Sequence, residues 1–257
     1  MCIYLLSLFL NLFLELSLSW NYIMSLANRY AAIIKRTGNS AGHMSGRGIT
    51  AVIKSNYYPD YVFTKGPPFE TAVNASGKKG RSRGLMVDHQ VQKWIKGQGA
   101  APHELRGMFE DQGAQPLTFH PFARAFIELT QKLELTPIGT QVVVQDERCN
   151  VATLVDAVFL NAKGRVVLVE LKTGFEGYND TSNGDMKTDF AYLTNAPANQ
   201  HQIQLAFTRC MFEETFQELG EVHAVIVRMT DSGAHVQPLD HRVWQTARAV
   251  LRKGRWL

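Results

Sequence analysis

At 257 residues and 28.8 kDa, with 45% hydrophobic and 19% charged residues, the chain has room for a large folded domain and is too apolar to be disordered. A formal net charge of +4 suits a polyanionic partner without identifying one. Three scattered cysteines (Cys2, Cys149, Cys210), with no CxxC pair, argue against a disulfide scaffold or structural zinc and favour a reducing compartment.

Residues 1–24 are strongly apolar, in the manner of a signal peptide or membrane anchor, yet no Lys or Arg precedes Arg29 and Glu15 interrupts the run. Three readings stand: an upstream extension of the coding sequence, a membrane or secretory segment, or part of an organelle-targeting signal. Residues 25–76 read as an irregular basic region with a Gly/Ser linker at 37–48, and the main domain is expected over 77–257. GKKGRSRG (77–84) is a basic loop leading into a helix on which Leu85, Val87, Val91, Trp94 and Ile95 recur at helical spacing. A second amphipathic helix covers 120–135 and stops before Pro137 and Gly139. Three Val-rich strands follow at 140–146, 150–161 and 165–173. An exposed polar loop (174–197), a helix from about 198, a strand at 222–229 and a basic amphipathic helix complete the chain. This order predicts a mixed α/β (α+β) fold, a central mixed sheet flanked by helices.

The second and third strands form a candidate hairpin. A three-residue loop at Ala162-Lys163-Gly164, with Gly164 left-handed, pairs Asn161 with Arg165 and sets Asp156 opposite Glu170. A two-residue turn would instead put the two acids on opposite faces. Cross-strand Cβ atoms lie about 4.5–5.5 Å apart, and two carboxylates about 4 Å apart repel by roughly 4 kcal/mol at an effective dielectric near 20. A shared proton, the Lys172 ammonium on the same face, or a divalent cation relieves that repulsion. Hard cations such as Mg²⁺ take carboxylate oxygens and water.

With Val155-Asp156 followed by Val169-Glu170-Leu171-Lys172, the chain resembles the PD-(D/E)XK nuclease superfamily, and most the branch of RecB-type, lambda-exonuclease-like and mitochondrial genome-maintenance exonucleases. The matching pieces run from about residue 80 to 208. The resemblance implies a restriction-endonuclease-like core with Mg²⁺ or Mn²⁺ held by Asp156, Glu170 and the main-chain carbonyl of Leu171, and with Lys172 assisting the nucleophile. Upstream, Gly84 is followed by Asp88 and His89 where the family has Gly-x-x-x-His, so either Asp88 or His89 is the expected additional ligand. Downstream, Gln204 fits the family's Gln-x-x-x-Tyr helix as a catalytic residue, while Thr208 stands where tyrosine is expected. Gln141 occupies a strand position where many relatives carry glutamate.

Lys78, Lys79, Arg81 and Arg83 are candidate phosphate contacts, and His201, one turn before Gln204, is a candidate contact to the DNA backbone or the site. The C-terminal helix adds Arg242, Arg248, Arg252, Lys253 and Arg255, with Trp244 and Trp256 available for packing or stacking. Two functions are carried forward. One is a metal-dependent DNA nuclease, by resemblance an exonuclease of replication, repair or recombination, in an intracellular DNA-containing compartment. The other is a non-cleaving nucleic-acid-binding or assembly module on the same fold.

Overall fold

A computed structural model describes residues 20–40, 47–59, 69–97, 119–173, 178–179 and 184–254; at 20, 38–40 and 69–81 the description covers the backbone alone. Helices α1 (Trp20–Ser40), α2 (Ile49–Tyr57), α3 (Phe69–Lys96) and α4 (Pro121–Lys132) precede most of the sheet. A two-residue strand β1 (Arg47–Gly48) lies between the first two helices. Strands β2 (Thr136–Asp146), β3 (Val151–Leu160) and β4 (Val166–Thr173) follow, then α5 (Pro197–Thr215), β5 (Val222–Thr230), β6 (Gly233–Pro238) and α6 (His241–Arg252).

The sheet is mixed. β3 is central, antiparallel to β2 along one edge and to β4 along the other, with β1 pairing parallel at its start. β4 and β5 run parallel, joined through α5, and β6 returns antiparallel to β5. Because side chains alternate along a strand, each face carries its own core. Val158, Leu160, Val166 and Leu168 pack with α1, α2, α5 and α6. Ala157, Phe159, Val167 and Val169 pack with Val87, Val91 and Trp94 of α3 and Phe122 and Phe126 of α4. The fold is thus the mixed α/β arrangement expected, helices on both faces of one sheet.

Several local expectations give way. Among the described residues the 25–76 region holds most of α1, all of α2 and the start of α3, and Ala27, Ile33, Ile34, Ile49, Val52 and Ile53 are buried in the same core as β2 and β3. α1 and α2 each carry an apolar stripe at helical spacing, Ile23, Ala27 and Ile34 on the first and Ile49, Val52 and Ile53 on the second, and its partner is the distant sheet. Within the expected linker, 37–40 is helical, 47–48 is strand, and 41–46 lies outside the described residues. The segment 77–84 is helix, not loop: α3 runs unbroken from Phe69 through the expected boundary at 77. Three glycines (Gly77, Gly80 and Gly84) cost such a helix about 1 kcal/mol each, which packing of its C-terminal half against α4 and the sheet offsets. Leu85, placed inward by periodicity, is 62% exposed. β2 starts at Thr136 and absorbs Pro137 and Gly139 with a shift of register between them, in keeping with proline's tolerance at strand ends and bulges. The stretch after β4 is only partly exposed, since Tyr178, Met186 and Phe190 are buried. Strand β6, half-buried at an edge, had no sequence signal of its own.

The hairpin turn has the geometry its sequence implies. Asn161 N donates to Arg165 O (3.0 Å), Gly164 N donates to Asn161 O (2.9 Å), and Gly164 has φ 74°. The Asn161 carboxamide oxygen accepts from the Lys163 and Arg165 amides, closing the loop. Gly164→Ala is expected to cost about 1–2 kcal/mol, the penalty of a Cβ in the left-handed region, read as a lower urea midpoint at unchanged m-value.

Among the described residues, no helix is long and apolar enough to cross a membrane. Of residues 1–24, on which the anchor and signal readings rest, 1–19 lie outside them, and 20–24 open α1 with Ile23 buried in the core.

Candidate active site

The β3–β4 ladder pairs Leu160 with Val166 and continues through Ala157 and Val169. One step further stand Asp156 and Glu170, the register expected from the turn. There the strands stop exchanging main-chain bonds, and the Asp156 side chain takes over: its Oδ2 accepts from the Leu171 amide at 2.8 Å. The fork therefore turns the Asp156 carboxylate towards β4. Glu170 lies on the face of Leu168, 3% exposed, below α5. Its Oε1 accepts from Lys172 Nζ (2.6 Å) and from Gln204 Nε2 (2.9 Å). Both Glu170 contacts fall on Oε1 and the Asp156 contact on Oδ2. Among the described residues, one oxygen of each carboxylate is left without a partner.

The electrostatics follow from this crowding. Burial pushes the Asp156 carboxyl well above the usual aspartate range, and the Glu170 charge adds to it; Lys172 and the Leu171 amide oppose them. Burial alone would lower the Lys172 pKa, but the carboxylates of Glu170 and Asp156 outweigh it and hold the ammonium above its ordinary value. Lys172 is thus cationic and clamped between acids.

Asp88 sits on α3 at the margin of this site. Its side chain accepts from Gln92 Nε2 (2.8 Å) and Gln141 Nε2 (3.3 Å). Burial raises its pKa, with the Glu170 charge contributing. Gln141 lies between the pairs Thr140–Ala157 and Val142–Val155, so it stands opposite Asp156. It adopts φ 51°, a left-handed conformation that costs a non-glycine residue about 1–2 kcal/mol. Strain of this kind gathers at functional sites. Asp88 is tethered by two amides, and the structure does not bring it into a metal cluster. Among the described residues, no group of three or more His, Cys, Asp or Glu side chains is gathered to hold an ion. His89, the other candidate on α3, is exposed, one residue round from the face bearing Asp88.

His201 lies beside the site. Its Nδ1 is 3.0 Å from the Tyr178 hydroxyl, and the two rings lie 5.5 Å apart at 31°. Burial, reinforced by the Lys172 charge, lowers its pKa to about 3. The imidazole is thus held against Tyr178 at the margin of the site, beside Lys172. Tyr178 was missed by the sequence reading. It is 3% exposed, the Arg228 guanidinium stands 4.8 Å from its ring centroid, and burial lifts its hydroxyl to about 12. A lone tyrosine in a polar stretch carries no periodic signal, so only the fold brings it to Lys172 and His201. Thr208, where the family pattern has tyrosine, is buried and bonds back to the Gln204 carbonyl (2.9 Å), a satisfied helix contact.

Of the basic residues before Asp88, Arg83 lies with its guanidinium 5.1 Å from the Phe122 ring centroid. The side chains of Lys78, Lys79 and Arg81 lie outside the described residues.

The structure therefore defines a mixed α/β protein with a partly buried two-carboxylate, one-lysine site where two antiparallel strands part. Comparison with protein-family models and with curated proteins returns no match.

Proposed function

We propose that this chain is a divalent-metal-dependent nuclease that hydrolyses phosphodiester bonds in DNA. The observation that carries the reading is the convergence of Asp156 and Glu170 across the strand fork with the Lys172 ammonium against them. The donor set fits Mg²⁺ or Mn²⁺: one unengaged oxygen from each carboxylate suits a small hard cation that keeps most of its waters. Asp156 and Glu170 would hold the ion, with the Leu171 carbonyl as a main-chain donor and Asp88 behind them as an outer partner. Such an ion supplies charge that acidifies a bound water and neutralises the phosphate being cut.

The chain's own groups do the rest. Lys172 stays protonated and offers N–H donors to the attacking water or the negative charge that develops on phosphate. Gln204 holds Glu170 Oε1 from above and so fixes the orientation of the carboxylate. Removal of bulk water by the surrounding core strengthens each of these interactions. An exonuclease acting on ends or single strands, in replication, repair or recombination, is the form of this activity that the family resemblance favours.

A second reading, a non-cleaving nucleic-acid-binding module, draws on the two-carboxylate donor set, to which the described residues add no third clustered acid or histidine. End-labelled linear and closed circular DNA separate the two. We expect Mg²⁺- or Mn²⁺-dependent loss of linear substrate that chelator stops and added metal restores. Binding without turnover under either ion would establish the module instead.

A further inference from the structure

On α6, Trp244, Arg248 and Arg252 follow one another at four-residue spacing and so form a single stripe. The opposite side, Val243, Ala247, Val250 and Leu251, is buried in the core. With Lys253, the stripe lines an open groove of about 390 Å³. The half-exposed indole of Trp244 is its aromatic wall. The Arg209 guanidinium, from α5, lies 4.2 Å from the indole centroid and that of Arg248 5.3 Å. Arg209 is balanced by Glu213 at 2.7 Å, whereas among the described residues no carboxylate pairs with Arg248, Arg252 or Lys253. Cations near a helix C-terminus complement its dipole, which accounts for Arg252 and Lys253 but not for an indole flanked by guanidinium groups.

We infer that this groove is a second nucleic-acid contact, separate from the carboxylate site, that takes the phosphates and bases of a single strand. A guanidinium set against an aromatic ring keeps its N–H edge free for phosphate oxygens, and flat cationic and aromatic surfaces stack bases without regard to sequence. The choice of nucleic acid among polyanions rests on the nuclease reading; the groove's affinity for a polyanion does not. α5 links the two places, carrying Gln204 to Glu170 and, five residues on, Arg209 to Trp244.

Anisotropy of a labelled single-stranded oligonucleotide, measured in chelator so that nothing is cut, tests this. The Arg248→Ala/Arg252→Ala/Lys253→Ala variant should bind about ten- to a hundred-fold more weakly at 0.1 M salt. Its plot of log affinity against log salt should be shallower by roughly 2, since each phosphate contact to a single strand contributes about 0.7. Arg248→Lys/Arg252→Lys should keep the salt slope. A triple variant with wild-type affinity and slope overturns the groove. So does a wild-type chain from which polyglutamate displaces the strand as well as unlabelled oligonucleotide does. Metal-dependent cleavage is scored separately: a chain that binds through the groove but never cuts refutes the nuclease reading alone.

Discussion

Glu170→Gln is expected to lower Mg²⁺-dependent cleavage by on the order of a hundred- to a thousand-fold while leaving the fold in place. The substitution preserves the shape of the side chain and an oxygen for the Gln204 amide, so α5 keeps its contact. It removes the charge that an ion needs and that Lys172 now faces at 2.6 Å. Loss of a few kcal/mol of charge stabilisation in the transition state corresponds to that range, at 1.36 kcal/mol per decade. Cleavage rates beside a far-ultraviolet circular dichroism spectrum check it. Undiminished turnover by this variant would exclude the mechanism.

Asp156→Asn should remove cleavage too, and make the protein more stable. The fold raises the Asp156 pKa, so the native state favours the protonated form. A group of that kind contributes stability that is complete below its unfolded pKa and is lost as pH rises through the folded value. The wild type should therefore weaken as pH climbs from the ordinary aspartate range towards neutrality, and the asparagine variant should lack that decline. Asparagine can still accept from the Leu171 amide. A gain of about 0.5–2 kcal/mol near neutral pH is the usual size for a stabilising change that sacrifices function. Metal supplies an independent readout. Mg²⁺ at a hundred times its dissociation constant should stabilise the wild type by about 2.7 kcal/mol and the variant far less. Thermal melts across pH, with and without Mg²⁺, show both effects. A variant no more stable than wild type at neutral pH would mean that Asp156 is compensated in the native state more fully than its surroundings indicate.

These two acids also show how the site is held. Asp156 does the work of a main-chain acceptor at the point where β3 and β4 separate, and Glu170 is pinned by one residue two positions along its own strand and another from α5. The second core, with Trp94, Phe126 and Phe159 packed ring against ring, braces the hairpin from the other face. The two carboxylates are thereby mounted on rigid strands, the placement that keeps such groups in position.

The hairpin was legible in the sequence because everything that determines it is local. Strand alternation has a period of two, Gly164 sets the loop, and the loop sets the register; Asp156 and Glu170 then face each other by counting. The helices with strong apolar stripes, around Val87–Ile95, Phe122–Phe126 and the C-terminus, were legible for the same reason. Other features were decided by tertiary structure. Helices α1 and α2 join the core through a sheet formed a hundred residues later. The glycine-punctuated start of α3 is helical against its propensity, and β6 exists because β5 offers an edge. His201 became a half-buried partner of Tyr178 through the path of the chain after β4. Local periodicity sets which face a residue occupies, but long-range packing sets what that face meets, and so whether a polar side chain ends as a ligand, a tether or part of the core.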